Sequence, residues 1–200
     1  MTHDRLAKSS VPLHDPIAKR WSPRAFTAEA VTRADLTGLL EAARWALSCY
    51  GAEPWRFVLG VKGSGDGHDK IAQALVDANR KWATSAPVLM ITVARDAFEF
   101  NDKPNDWSKH DVGLAMGQLA IEATARGLVV HQMGGFDKDK ARELLGIPDG
   151  YSPVAACAIG HLAPAETLPE DLRDKETAAR ERKPMGEIAF EGRFGDAYTS

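Results

Sequence analysis

The chain has 200 residues, of which 44% are hydrophobic and 26% are charged, and its formal net charge is −3. This length and composition predict one soluble globular domain, and the mildly acidic charge argues against binding to nucleic acid or to a membrane surface. The sequence has no apolar run of the roughly 20 residues that cross a bilayer, no apolar signal segment at its start, and two cysteines. We therefore expect a cytoplasmic protein without a membrane span or a disulfide framework.

A basic turn follows the first predicted helix. Residues 13–21 favour a short helix, which should end at Ser22 because Pro23 disfavours helical geometry in the residue before it. The turn should therefore present backbone N–H groups, the Ser22 hydroxyl and the guanidinium groups of Arg20 and Arg24 together.

The chain then alternates helices and strands. A helix capped by Thr32, with Asp35 as its capping-box partner, precedes a loop at 47–51. The next predicted elements are a strand at 55–61, a helix at 68–82, a strand at 87–94 that is apolar on both faces and therefore central, and a polar loop at 95–107. The aromatic residues of that loop belong either to a lid over a site or to the core; they are Phe98, Phe100 and Trp107.

A helix over 112–125 is apolar almost all round, and its predicted cap is Ser108 with Asp111 in the partner position. Gly113 and Gly117 lie one turn apart, so another backbone can approach closely there. We expect this helix both to run through the core and to pack against its copy in a partner subunit.

The character of the chain changes after a strand at 128–132, a helix from Asp137 to Leu145 and a strand at 154–161. Most residues from 165 to 183 are charged, which is typical either of a solvated tail or of an arm that docks on a surface. Apolar residues follow and favour the arm; they are Ile188, Phe190, Phe194 and Tyr198. We expect a single α+β domain over 1–200 with a mixed sheet flanked by helices, and an extended C-terminal arm from about residue 165.

Two basic pairs at opposite ends of the chain are the clearest candidate binding residues. They are Arg20 with Arg24, and Arg180 with Arg182. Paired guanidinium groups suit one compact dianion such as the phosphate of a mononucleotide, although surface salt bridges are an alternative for Arg20 and Arg24. The sequence has no Walker phosphate loop, no Gly-x-Ser-x-Gly elbow and no histidines at metal-ligand spacing. It therefore predicts no metal site.

Five segments, taken together, carry a family resemblance. They are Arg-Trp-Ser-Pro-Arg-Ala-Phe at 20–26, Leu-Ser-Cys-Tyr-Gly-Ala-Glu-Pro-Trp-Arg-Phe at 47–57, His-Asp-Val-Gly-Leu-Ala at 110–115 with Ala-Arg-Gly-Leu at 125–128, Gly-Gly-Phe-Asp at 134–137, and Arg-Glu-Arg-Lys-Pro at 180–184. In order and spacing they resemble the nitroreductase family of FMN-dependent oxidoreductases, over almost the whole chain.

The resemblance implies an architecture. The family fold is an α+β sandwich with a mainly antiparallel central sheet, and the protein is an intertwined homodimer. Two FMN molecules lie at the subunit interface and each is contacted by both chains. The C-terminal arm is exchanged between the subunits and adds to the partner's sheet.

The resemblance also implies the cofactor-binding residues. Arg20, Ser22, Arg180 and Arg182 match phosphate-binding positions, and Arg24 matches a basic residue near the flavin pyrimidine edge. The loop of Ser48, Cys49 and Tyr50 would contact the ring from the partner chain. Gly134 and Gly135 would approach the N5 and O4 edge, where a side chain would block access, unless they simply form a loop before Asp137. The full set of expected cofactor contacts is Arg20, Trp21, Ser22, Arg24, Ser48, Cys49, Tyr50, Glu53, Met133, Gly134, Gly135, Arg180 and Arg182.

The chain departs from the family pattern at Gly51 and Glu53, where Asn and Gln are common. An amide both donates and accepts hydrogen bonds, whereas an ionised carboxylate only accepts them. We hypothesise that Glu53 is protonated in the site or lowers the flavin potential by repelling the charge of reduced flavin. The alternative is that its side chain faces solvent.

The implied reaction passes hydride from NADH or NADPH to flavin N5 and then to an electron-poor acceptor such as a nitroaromatic, a quinone or an activated alkene. No protein side chain is assigned a catalytic role, because the flavin carries the chemistry. The alternative is a flavin carrier or sensor with little turnover, which the changes at Gly51 and Glu53 would suit. The sequence leaves open the choice of NADH or NADPH and which chain supplies each flavin contact.

Overall fold

The computed structural model describes residues 5–199, so residues 1–4 and 200, the ends of the expected domain, lie outside it. Four strands form the sheet, in the order β1-β2-β4-β3. Their bounds are β1 Trp55–Val61, β2 Val88–Arg95, β3 Val129–Met133 and β4 Tyr151–Gly160. Each pairing described between residues 5 and 199 is antiparallel, so a parallel pairing in the expected mixed sheet would require a second chain.

Seven α-helices lie within the described residues. They are α1 Asp15–Lys19, α2 Arg33–Arg44, α3 Gly67–Ala74, α4 Asp77–Ala83, α5 Ser108–Ala125, α6 Lys138–Leu145 and α7 Glu170–Thr177. Among residues 5–199, no helix is long and apolar enough to cross a membrane. The α+β fold with an antiparallel sheet between helices is confirmed.

Strand β2 is central, as predicted, because its side chains serve two cores. Met90 packs in one core with buried residues of α2 and α5. Leu89 and Ile91 pack in the other core with buried residues of α3, α4, α6 and α7. A strand whose two faces are both covered by helices reads as a continuous apolar run, which is the pattern of 87–94.

Helix caps follow the prediction at two of three positions. The side chains of Thr32 and Asp137 accept hydrogen bonds from the backbone N–H groups three residues on. The predicted cap at Ser108 is wrong, because helix α5 already begins at Ser108 and its N-cap is Trp107, without a side-chain hydrogen bond. Asp111 bonds instead to the Cys49 loop.

The single helix predicted over 68–82 is two helices. The chain leaves α3 at Leu75, which is extended with φ −69° and ψ 142°. Leu75 forms a β-bridge with Phe136, and the Val76 N–H donates to the carbonyl of Gly135 at 3.2 Å. Hydrogen bonds to the loop after β3 therefore replace the helical ones, which a local pattern does not reveal.

Helix α5 is buried on one side and open on the other. Its core face is formed by Val112, Ala115, Met116, Leu119 and Ala123. On the other side, Gly113 and Gly117 have no other part of the described chain within 4 Å of where a side chain would begin. Within one chain, α5 therefore packs in the core as predicted. The predicted close approach of another backbone to Gly113 and Gly117 does not occur within the described chain.

The C-terminal segment differs from the expected extended arm in its first part. Residues 170–177 form helix α7, which lies against the same chain through Leu172 and Glu176. Beyond it, Phe190 pairs with Ala197 in an isolated bridge and its ring lies 4.6 Å from the Phe194 ring. Phe194 is nevertheless 89% exposed, so the end of the chain buries little of its apolar surface within this chain.

Candidate functional site

A small cavity of about 170 Å³ collects most of the predicted basic residues. It is lined by Arg5, Arg20, Trp21, Ser22, Arg24, Lys175, Arg180 and Arg182. The two arginine pairs, which are about 160 residues apart in sequence, thus meet within one chain. The sequence did not indicate whether Arg180 and Arg182 meet Arg20 of their own chain or of a partner. In the fold of one chain they lie together.

A side chain of strand β3 supports the Arg20–Arg24 turn. Arg20 caps the C-terminal end of α1 with extended geometry, and its guanidinium donates to the Ser22 hydroxyl at 3.4 Å. His131 Nδ1 donates to the carbonyl of buried Pro23 at 2.8 Å. The His131 ring in turn lies 4.6 Å from that of Trp82. The turn therefore rests on a half-buried ring of strand β3, which itself lies next to the buried Trp82.

The cations of the cavity repel one another. Burial and the charge of Arg182 lower the pKa of Arg20, and burial together with Arg20, Arg182 and Arg5 lowers the pKa of Arg180. The Arg180 guanidinium donates to the carbonyls of Ala18 and Arg5, so it is fixed at the edge of the cavity. A lowered pKa means that the folded chain disfavours these charges, and a bound anion would relieve that cost.

Two further cations were missed from the sequence. Arg5 stacks on the Trp21 ring at 4.2 Å and donates to the carbonyl of Ala178, and Lys175 lies on α7. Neither belongs to a recognisable motif. Within the described part of the chain, Arg5 Nη1 is buried and has no hydrogen-bond partner. Buried donors are nearly always paired, so this atom fits a site that an anionic ligand completes.

The loop at 48–53 is held in an unusual backbone conformation. Tyr50 and Glu53 have positive φ values of 54° and 44°. Ser48 Oγ accepts from the Glu53 N–H at 3.1 Å, and Asp111 Oδ2 accepts from the Cys49 N–H at 2.9 Å. Asp111 is buried and also bonds to His110. It was predicted as a capping partner and instead fixes this loop.

The tip of that loop points away from the chain. Tyr50 is 84% exposed, and its ring meets the rings of Phe98 and Phe100 edge-on at 5.9 and 6.3 Å. Phe98 and Phe100 thus lie beside this loop, while Trp107 lies against His110. The Glu53 side chain is exposed within the single chain.

The two glycines after β3 differ in the space that surrounds them. At Gly135 an added Cβ would lie 2.6 Å from Asn79 Nδ2, which donates to the Gly135 carbonyl. At Gly134 an added Cβ would meet nothing within 4 Å, and Met133 before it is buried. Packing inside the chain therefore explains Gly135, whereas Gly134 is an open edge that a ligand could approach.

The predicted contacts form three separate groups within one chain. The residues at 48–53 and at 133–135 do not line the basic cavity. The first group precedes β1 and the second lies at the C-terminal end of β3; β1 and β3 are the opposite edge strands of the sheet. Three interstrand spacings separate those strands, a distance of about 14 Å.

A second, apolar groove of about 500 Å³ runs along the open side of α5. Its lining residues are Ala42, Leu47, Gly113, Leu114, Gly117, Gln118, Ile121 and Glu122. Leu47 and the nearby Trp45 are mostly exposed. Large exposed apolar patches in soluble proteins mark interaction sites.

Comparison with known proteins decides the family. A family model described as the Nitroreductase family matches two overlapping segments, residues 17–81 and 72–161. The chain belongs to the nitroreductase family. The predicted family is thereby confirmed.

Individual proteins and solved structures are similar to this family member. An uncharacterised 15.4 kDa protein encoded in the ask 5′ region of Mycolicibacterium smegmatis is 32% identical over 147 residues, which cover 70% of this chain and 98% of that protein. A putative NAD(P)H nitroreductase of Bacillus subtilis (strain 168) is 25% identical over 168 residues, covering 66% of this chain and 79% of the relative. A crystal structure described as an oxidoreductase containing FMN is 38% identical, with a TM-score of 0.90 over 98% of this chain and 100% of that one.

We expect His131 to make the stability of this nitroreductase-family member depend on pH. Burial is the largest cause of its lowered pKa, and the charge of Arg24 adds to it against the opposing hydrogen bond to Pro23. The unfolded state therefore takes up a proton near the ordinary value of about 6.5, whereas the folded state resists it. The free energy of unfolding should be highest above about pH 6.5 and should fall as the pH drops through the lower folded pKa.

Urea unfolding at a series of pH values from about 7.5 to about 5 tests this expectation. The variant His131→Gln, whose amide can still donate to the Pro23 carbonyl, should flatten this part of the profile. His14→Gln, at an exposed histidine, is the control and should leave the slope unchanged. Equal slopes for all three proteins would contradict the assignment to His131.

Proposed function

We propose that this protein is an FMN-dependent oxidoreductase. The observation that carries the proposal is the cavity lined by five arginines, one lysine and the Ser22 hydroxyl, whose charge and size suit one phosphate group. Guanidinium groups bind phosphate oxygens through paired, charge-assisted hydrogen bonds. Family membership and the description of the 38% identical structure as an oxidoreductase containing FMN support the same cofactor.

The residues present fit FMN. In the proposed complex Arg20, Ser22, Arg180 and Arg182 hold the phosphate, and Arg5 and Lys175 add to the predicted set. When bound, FMN supplies hydride transfer at its N5 atom. The protein contributes position and charge: Arg24 would stabilise negative charge at the pyrimidine edge, and the open backbone at Gly134 would leave room at the N5 edge.

We propose in addition that the complete site needs two copies of the chain. The loop at 48–53 and Gly134 lie at opposite edges of one sheet, so both can contact the same flavin ring if the loop comes from a partner. The exposed Tyr50 and the apolar groove along α5 are surfaces that such a partner would cover. The exposed Phe194 and Tyr198 fit an arm that docks on the second chain.

The proposed electron donor is NADH or NADPH, and the proposed acceptor is an electron-poor molecule such as a nitroaromatic, a quinone or an activated alkene. The description of the Bacillus subtilis relative as a putative NAD(P)H nitroreductase supports this choice. The aromatic side chains of Tyr50, Phe98 and Phe100 offer an apolar surface beside the proposed ring-binding loop. No side chain is assigned as an acid or a base.

The test of the function is optical and anaerobic. We expect the protein loaded with FMN to absorb at about 450 nm. This band should bleach on addition of NADH or NADPH and should return on addition of a quinone or a nitroaromatic. A flavin-loaded protein that does not bleach would favour the alternative of a carrier or sensor. A protein that cannot be loaded with FMN would overturn the proposal.

Glu53 provides a test of how the flavin potential is set. If its carboxylate repels the reduced flavin, Glu53→Gln should raise the midpoint potential of the bound FMN. Redox titration of the two proteins measures the difference, with Glu99→Gln as a control for a neighbouring exposed carboxylate. Equal potentials in all three proteins would rule out tuning by Glu53.

A further inference from the structure

A buried carboxylate joins the C-terminal helix to the basic turn. Glu176 lies on α7 and is 3% exposed. Its Oε1 atom accepts from the backbone N–H groups of Arg24 at 2.9 Å and of Ala25 at 3.1 Å. Its Oε2 atom also accepts from the Arg24 N–H, at 3.0 Å, and lies 3.9 Å from Arg24 Nη1. The same carboxylate thus contacts both the backbone and the guanidinium of Arg24.

Helix α7 buries two side chains, and Glu176 is one of them. Its sequence is almost entirely polar, and Leu172 is the other residue that it buries. Burying a carboxylate is costly unless hydrogen bonds satisfy its oxygens. Here the donors are backbone groups just after the Pro23 turn, so the bonds are satisfied only when α7 lies against that turn.

Helix α7 and the segment after it carry three of the cations that line the cavity. Lys175 directly precedes Glu176, and Arg180 and Arg182 follow within two turns' length of chain. All three line the cavity together with Arg24. A carboxylate that fixes α7 against the turn therefore also sets the places of the cations contributed by the C-terminal segment.

We propose that Glu176 is a positioning residue of the phosphate site: it holds Lys175, Arg180 and Arg182 against the Arg20–Arg24 turn. This inference rests on the proposed binding of FMN. According to this inference, the Glu176 carboxylate favours phosphate binding even though it is a negative group next to a site for an anion.

The sign of the effect separates this role from simple electrostatics. A carboxylate that acted only as a nearby negative charge would repel the phosphate, so its removal would tighten FMN binding. In Glu176→Gln the amide keeps one acceptor oxygen but turns an NH₂ group toward the donors of Arg24. A positioning role therefore predicts weaker FMN binding despite the loss of a negative charge.

The experiment measures the Kd values of FMN and of riboflavin, which lacks the phosphate, for wild type, Glu176→Gln and Asp174→Asn. Asp174 is an exposed carboxylate on the same helix, and its replacement makes the same change in charge. We expect Glu176→Gln to raise the Kd of FMN about tenfold and that of riboflavin less than about twofold. Asp174→Asn should leave the ratio of the two Kd values as in wild type.

A second measurement follows the contact itself in the flavin-free protein. Hydrogen exchange of the Arg24 and Ala25 amides should be slow in wild type and Asp174→Asn, and faster in Glu176→Gln. The variant Glu176→Asp keeps a carboxylate on a shorter side chain. Compared with Glu176→Gln, it should recover part of the protection of these amides and part of the FMN affinity.

The possible results are distinct. Tighter or unchanged FMN binding by Glu176→Gln would overturn the inference while leaving the proposed function intact. Equal losses of FMN and riboflavin affinity would show a general structural role and would also overturn it. A wild-type protein that binds neither flavin would overturn the proposed function and this inference together.

Discussion

Replacing Arg20 and Arg182 by glutamine is expected to raise the Kd for FMN about a hundredfold or more, since each charge-assisted hydrogen bond to a phosphate contributes roughly 1.5–3 kcal/mol. Arg182 donates within the chain to the carbonyl of its neighbour Glu181, and Arg20 to the Ser22 hydroxyl. Their removal therefore breaks few contacts of the folded chain. Isothermal titration with FMN measures the loss.

The same double variant should not destabilise the flavin-free protein. Burial and mutual repulsion lower the pKa of Arg20, so the charge is unfavourable before the anion binds. We expect an equal or higher Tm without FMN, together with an unchanged Kd for riboflavin. Residues of binding sites commonly lower stability in this way. A lower Tm combined with unchanged FMN affinity would contradict the assignment of these arginines.

Placing an arginine at Gly117 is expected to convert a dimer into monomers and to remove most of the bound FMN. Gly117 faces the apolar groove along α5, where a partner helix would have to accommodate a long charged side chain. Within one chain nothing lies within 4 Å of the added Cβ. Loss of a helical glycine even favours the helix, by up to about 1 kcal/mol. The folded monomer should therefore persist.

Sedimentation velocity and flavin absorbance measure the two effects of Gly117→Arg. The matched control is Gln73→Arg, which adds the same charge at an exposed position of helix α3 outside the groove. The control should remain a yellow dimer. A monomeric wild type, or a dimeric Gly117→Arg variant that retains FMN, would refute the proposed interface.

Local sequence patterns predicted the strands well and the ends of helices less well. The apolar run at 87–94 predicted β2, and the side chains of Thr32 and Asp137 cap their helices as expected. Ser108 carries the same type of signal, yet the helix already includes it. The partner carboxylate there, Asp111, binds the Cys49 N–H across the fold. Such a competing tertiary hydrogen bond leaves no trace in the local pattern.

The sequence by itself determined the family, the sheet-forming segments and the arginine pairs, because these depend on local hydrophobic periodicity and on short motifs with fixed spacing. The tertiary structure alone decided that both arginine pairs share one cavity with Arg5 and Lys175. It also revealed that Glu176 fixes α7 to the basic turn. Those contacts join residues more than 150 positions apart, and their hydrogen bonds and charges act only after the chain has folded back on itself.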